Sequence, residues 1–309
     1  MTRRARRPNI GAMEFSTLDT LFNLALFVFW FRIWTPGNEG FLLNPYLAPL
    51  GGLADSALNF VTPVFGRVPR RWAAAAVLVA LLVLRGLALP VERMAWVLGL
   101  GFQIREAAGG GLAAPLAFSG LSFALFLFKL WTLSLLYVPP RGGPAASLAH
   151  SALYYAARPF TDVWGALRPL VWLAFGMGAG WLLLAHGREP AALPLPLLRV
   201  RMAPVSSDPP ALLPLKLALG ALSGGVEAVG VAAQLMVWLI LASWVFQLLG
   251  LGGAVVHCRE WLSLLLGPMR RWSVRLGPLE LAPALALLVL LLAQVLLQGL
   301  LLETYLRLP

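Results

Sequence analysis

GPMRRWSVRLGPLELAP, residues 267–283, stands directly before ALALLVLLLAQVLLQGLLL, residues 284–302. Arg270, Arg271 and Arg275 share the first stretch with Pro268, Pro278 and Pro283, and the second carries no charge. A bilayer core of about 30 Å takes about 20 helical residues to cross, which matches the apolar run. A proline ring lacks the N–H that continues a helical ladder, so the prolines mark a break. Arginines at such a break are attracted to anionic headgroups by about 1 kcal/mol each. The stretch therefore reads as a turn held at the lipid surface before the chain enters the membrane.

Composition carries this reading to the whole chain. Of 309 residues, 60% are hydrophobic and 12% charged, against about a quarter charged in a soluble domain, and the mean hydropathy is +0.80. A net charge of +11 would suggest nucleic acid in a soluble protein. Here the arginines flank apolar runs, so a membrane surface explains them and nucleic acid is not an expected partner. The lone Cys258 excludes an intramolecular disulfide and any multi-cysteine metal site, and reads as a small buried apolar residue. The opening TRRARRP resembles a signal-peptide start, but the apolar stretch after it is long, aromatic and without a small-residue cleavage site, so it is expected to be an uncleaved first span.

Runs of spanning length fall at 17–35, 72–90, 115–138, 163–185, 226–249 and 281–302. They predict an all-α polytopic membrane protein of about six transmembrane helices, arranged as three hairpins with both termini on one side. Ser16, with Asp19 three residues on, is a candidate N-cap for the first span. Pro283 falls in the first turn of the last, where a missing N–H is harmless. Segments 92–104 and 211–222 are short or broken for a span and are not counted, although either would raise the number if it crossed. The expected organisation is a basic tail (1–16), a hairpin (17–90), a connector (91–114), a hairpin (115–185), a connector (186–225) and a hairpin (226–309). Lysine and arginine divide almost evenly between the two sides, so the positive-inside rule assigns no orientation.

The loops inside the three hairpins share a plan: ADSALNFVTPVFGRVPRRW (54–72), AHSALYYAARPFTDVWGALRP (149–169) and VHCREWLSLLLGPMRRW (256–272). Ser56-Ala57-Leu58 recurs as Ser151-Ala152-Leu153, with Pro63 and Pro159 at comparable distances after them, and Pro268 follows His257 much as Pro159 follows His150. The chain reads as three copies of one unit: span, surface helix, proline-basic turn, span. Each surface helix is amphipathic. Leu47, Leu50, Ala54, Leu58 and Val61 line one face of the first, and Val255, Cys258, Leu262 and Leu265 one face of the third. Such helices are expected to lie in the interface with the apolar face down and to end at the proline. Arg67, Arg70, Arg71, Arg158, Arg270, Arg271 and Arg275 are the candidates that hold the turns on anionic headgroups.

The third unit resembles the YggT family of small integral membrane proteins. Ser243-Trp244, Pro268, Arg270, Arg271, Gly277 and Pro283 fall on that family's pattern, with Glu280 where it tends to have Asp and Ala282 where it tends to have Ser. The first unit is similar through Arg32-Ile33-Trp34, Asn44-Pro45, Pro63 and Pro69-Arg70-Arg71, without the acidic entry. The middle unit keeps Pro159 and Arg168, so coverage is good at the ends and poor between 90 and 225. Members usually carry one or two units, and three is a departure. The resemblance implies roles in osmotic and ion homeostasis, in the bacterial envelope and division, or in haem attachment to a chloroplast cytochrome b, and it supplies no catalytic motif.

Charges inside apolar runs are the remaining candidates. Lys129 sits nearest a span centre, with an aliphatic stem long enough to snorkel. Arg85 and Arg168 lie nearer span ends, where snorkelling is expected. Glu227 is the acid near a span without an obvious loop position, and a Lys129–Glu227 pair across units follows as a hypothesis. Gly224, Gly225 and Gly230 permit close helix contact. His150 and His257 hold comparable places in two units, which allows a haem or metal reading, but both lie in expected surface helices outside the spans, which favours polar-face histidines at the interface. Trp34, Trp72, Trp131, Trp164, Trp181 and Trp272 read as an aromatic belt. No Ser-His-Asp set, His-Glu-x-x-His or Walker loop appears.

The expectation is a non-enzymatic scaffold or assembly factor for a membrane complex in a bacterial cytoplasmic (inner) membrane. Its partners would be anionic lipid and other membrane proteins, and no cofactor or metal is expected. The alternatives are a small-solute or ion transporter or channel component in osmotic homeostasis, and an accessory subunit of a respiratory or photosynthetic complex.

Overall fold

The computed structural model describes residues 10–35, 48–65, 68–89, 95–99, 102–105, 113–139, 148–186, 193–194, 199–200, 211–267, 275–276, 279–280 and 282–308. Nine α-helices are described: α1 (Ile10–Trp34), α2 (Ala48–Phe65), α3 (Arg70–Ala88), α4 (Ala113–Tyr137), α5 (Leu148–Ala156), α6 (Arg168–His186), α7 (Leu213–Leu248), α8 (Gly252–Leu266) and α9 (Ala282–Arg307). A 3-10 turn, Phe160–Asp162, lies between α5 and α6. The six expected spans coincide with α1, α3, α4, α6, α7 and α9, and the chain is a polytopic helical membrane protein. The described parts of α3, α4, α7 and α9 are long and apolar enough to cross a bilayer, and α1 adds the apolar stretch Leu21–Trp34.

Taken in threes, the helices run 25, 18 and 19 residues, then 25, 9 and 19, then 36, 15 and 26, so the middle one is the shortest each time. Facing residues give the directions. Asp19 meets Arg85 while Arg32 and Arg70 share Asp55, so α1 and α3 run antiparallel. Phe128 faces Gly176 and Thr132 faces Trp172, so α4 and α6 do too. Gly230 faces Gln294 and Lys216 faces Tyr305, which makes α7 and α9 the third antiparallel pair.

The core lies where α4, α6 and α7 meet. Phe128 stacks on Trp172 with centroids 5.1 Å apart, and Trp131 stacks on Phe160 at 5.1 Å and meets Phe175 at 4.5 Å. Two glycines let the helices close. A Cβ on Gly176 would stand 2.6 Å from the Phe128 ring and 2.7 Å from Ala221, and one on Gly225 would stand 2.6 Å from Trp172.

Several expectations need correction. The short helices do not simply lie on lipid. Ala54 and Leu58 of α2, and Val255, Cys258, Leu262 and Leu265 of α8, form the expected buried faces, but α5 is buried almost throughout, from Ala149 to Ala156. Pro63 does not end α2, whose helical backbone runs on to Phe65. The third helix stops at Gly267, which takes φ +46°, a conformation open to a residue without Cβ. Helix α1 begins at Ile10, so Asp19 is an interior residue and not part of an N-terminal cap. Helix α7 absorbs most of 211–222 and reaches 36 residues, about 54 Å at 1.5 Å per residue.

Short antiparallel ribbons punctuate the connectors. Strands β1 (Ala95–Gly99) and β2 (Phe102–Arg105) pair where segment 92–104 was too broken to span. Strands β3 (Leu193–Pro194) and β4 (Arg199–Val200) form the second ribbon. Strands β5 (Arg275–Leu276) and β6 (Leu279–Glu280) form the third, within the arginine-rich turn, with Arg275 opposite Glu280.

Candidate functional site: charge pairs inside the helical bundle

The described charges of the spans are gathered into direct contacts. Lys129 of α4 and Glu227 of α7 approach to 3.9 Å between Nζ and Oε2, with 35% and 22% of their side chains exposed. The pair ties α4 to α7, and the nearby Gly225 of α7 makes room for the Trp172 ring of α6, 2.6 Å from where a Cβ would stand, with the Thr132 methyl of α4 at 3.7 Å. The pair hypothesised from sequence is therefore formed, and Lys129 points at a carboxylate instead of snorkelling away.

Arg85, expected to snorkel, is buried. Its Nε and Nη2 donate to Asp19 Oδ1 at 3.0 and 2.6 Å, Nη2 donates to Ser122 Oγ at 2.7 Å, and Nη1 to the Ser119 carbonyl at 3.4 Å. Asn23 Nδ2 donates to the remaining Asp19 oxygen at 3.1 Å. Gly86 permits this, since a Cβ there would stand 2.9 Å from the Pro115 carbonyl oxygen. A guanidinium withdrawn from water needs every such acceptor, because its desolvation costs several kcal/mol.

A second arginine cluster closes the other end of the first hairpin. Arg32, 3% exposed, donates from Nε to Asp55 Oδ1 at 2.8 Å and from Nη2 to Oδ2 at 3.4 Å. Arg70 Nη1 reaches Asp55 Oδ2 at 3.1 Å. One carboxylate on α2 thus bridges the end of α1 and the start of α3. Arg168 answers with carbonyls instead: its guanidinium donates to Thr161, Val163 and Pro139 oxygens at 2.6, 3.2 and 3.4 Å while 3% exposed. It too departs from the snorkelling expectation.

The candidates for headgroup contact divide. Arg67, Arg270 and Arg271 lie outside the described residues, and Arg275 opens β5. Arg71 is exposed with its guanidinium 5.6 Å over the Trp72 ring. Arg70 is half-exposed on Asp55. Arg158 pairs with Asp162 at 3.0 Å, donates to the Trp34 carbonyl at 3.3 Å and lies over the Tyr154 and Tyr155 rings. Burial pushes the Tyr155 phenol upward, with Arg158 working against it. Trp30 Nε1 donates to the Ala156 carbonyl at 2.8 Å, tying α1 to α5. Trp131, read as part of a belt, is buried in the core, and Trp272 lies outside the described residues.

His257 is on the exposed face of α8, with Nδ1 3.6 Å from Glu260, and His150 is half-buried on α5. Among the described residues no three His, Cys, Asp or Glu side chains form a metal-holding group. An open apolar crevice of about 220 Å³ lies between α4 and α6, lined by Ala117, Phe118, Gly120, Leu121, Ala124 and Leu182. No family model matches this chain, and no curated protein or solved structure is significantly similar to it.

Proposed function

We propose that this protein is a non-enzymatic membrane scaffold or assembly factor that works by helix–helix contact within a bacterial cytoplasmic membrane. The observation carrying this reading is the outward apolar surface of α9. Helix α9 packs chiefly along α7, and Leu288, Leu292, Leu296 and Leu300 face away from the protein. Ion pairs on α1, α3, α4 and α7 support the same reading, because charges engaged with each other leave the outer surface apolar and fit for helix contact. The thrice-repeated element order, with the proline and arginine positions above, supports an internal repeat and kinship with the YggT family. Native purification into lipid nanodiscs followed by mass spectrometry tests the scaffold: a stoichiometric membrane partner supports it, and a clean single-species sample from native membranes opposes it.

A second reading, a transporter or channel component, draws on Lys129–Glu227, since ionisable pairs at membrane depth are typical of ion pathways. Flux in proteoliposomes that is lost in Glu227→Gln would favour it over the scaffold.

A further inference from the structure

The C-terminal half of α7 carries an uncovered seam with the spacing of a coiled coil. Gln234, Trp238, Leu241, Val245 and Leu248 follow one another at intervals of four, three, four and three residues, and all five are exposed. A stripe with a mean period of 3.5 is the pattern that keeps one helix facing a second over several turns. Lipid tails can cover Trp, Leu and Val. They cannot satisfy Gln234, whose carboxamide offers two donors and an acceptor in an apolar stretch, and which makes no side-chain hydrogen bond among the described residues.

We infer that α7 pairs with α7 of a second copy of this chain through this seam, with Gln234 meeting Gln234. Copies inserted in one orientation bring their α7 helices together in parallel, and in a parallel pair each seam residue faces its own counterpart. An amide is complementary to itself, donor to acceptor, so a two-fold axis through the seam satisfies it and closes the contact at two copies. Glu227, one heptad before Gln234, is matched by Lys129 at 3.9 Å within its own chain, which removes the repulsion two facing carboxylates would bring. The inference deepens the scaffold reading by naming one partner, but a self-pair can form whether or not a foreign protein binds.

The full chain in a Cys258→Ala background, reconstituted in phosphatidylcholine–phosphatidylglycerol vesicles, tests it with single cysteines at Leu241 or Leu235. These positions are 43% and 44% exposed, and Leu235 lies off the seam. Mild oxidation is expected to yield a product of twice the chain mass from Leu241→Cys and none from Leu235→Cys. Gln234→Leu is expected to weaken dimerisation roughly three- to thirty-fold by single-molecule photobleaching, the range for one interhelical polar contact in a membrane. Equal cross-linking at both sites, none at either, or monomers at every protein-to-lipid ratio would overturn the pair. The same cysteines in native membranes add a second arm: a Leu241→Cys product of any other mass assigns the seam to a foreign helix, which overturns self-pairing while supporting the scaffold.

Discussion

Arg85 Nη2 lies 2.6 Å from Asp19 Oδ1 and joins the first two long helices at the end of the bundle remote from the Arg32–Asp55–Arg70 cluster. Removing one member of such a pair leaves the other charge withdrawn from water without its counterion. Asp19→Asn should therefore lower stability by about 3 kcal/mol, while Asp19→Leu with Arg85→Leu should recover most of the loss. Thermal unfolding of the two variants beside the original chain in nanodiscs reads this directly. A double variant no better than the single one would show that the pair is not what holds α1 to α3.

Lys129 and Glu227 make a reciprocal test. Lys129→Glu or Glu227→Lys places two like charges a few ångströms apart inside the membrane, and each single reversal should cost about 1–3 kcal/mol, since both side chains keep partial exposure. The double reversal restores opposite signs and should return expression level and unfolding temperature toward the original. Failure of the double to rescue either single would remove the pair as a tie between α4 and α7.

Gly225→Val tests how closely the helices must approach. The added Cβ would lie 2.6 Å from a Trp172 ring that is stacked on Phe128 and hydrogen-bonded from Nε1 to Thr132 Oγ1 at 2.8 Å. The ring cannot retreat without losing both contacts, so overpacking of about 1–3 kcal/mol is expected. Gly178, where an added Cβ meets nothing within 4 Å, should accept Ala with little change. Equal stability of Gly225→Val and Gly178→Ala would contradict the packing described.

How much of this was legible in the sequence depends on what kind of signal each feature leaves. Span positions follow from apolar length, and all six were readable. Lys129–Glu227 was readable because few opposite charges sit away from loops. Asp19–Arg85 was hidden by a plausible cap: Ser16 and Asp19 have capping spacing, but the helix starts earlier, at Ile10, and the carboxylate turns to α3. The start of α7 was hidden by Pro214 and Lys216, which look like a break. Pro214 in fact occupies the first turn, where no N–H is needed, and Lys216 is buried with its ammonium 5.3 Å over the Tyr305 ring. Partners that are backbone carbonyls leave no mark in sequence at all, so Arg168 could be read only as a residue near a span end.

Arg168 gives the sharpest contrast between charge and shape. Its guanidinium gathers the carbonyls of Thr161, Val163 and Pro139, so the start of α6 is tied both to the turn before it and to the chain leaving α4. A planar fork with several fixed donors can serve three oxygens in different directions, whereas a lysine ammonium on a flexible stem loses some of them. Arg168→Lys keeps the charge and should still destabilise the protein, by about 1–2 kcal/mol for the hydrogen bonds left unmade. Arg168→Met also leaves the Thr161 carbonyl, 2.6 Å from the guanidinium, without this donor, and should cost more. Hydrogen exchange at 160–168, compared across the two variants, separates the outcomes: rising exchange in both marks a positioning fork, and protection kept in Arg168→Lys alone would mean that charge suffices.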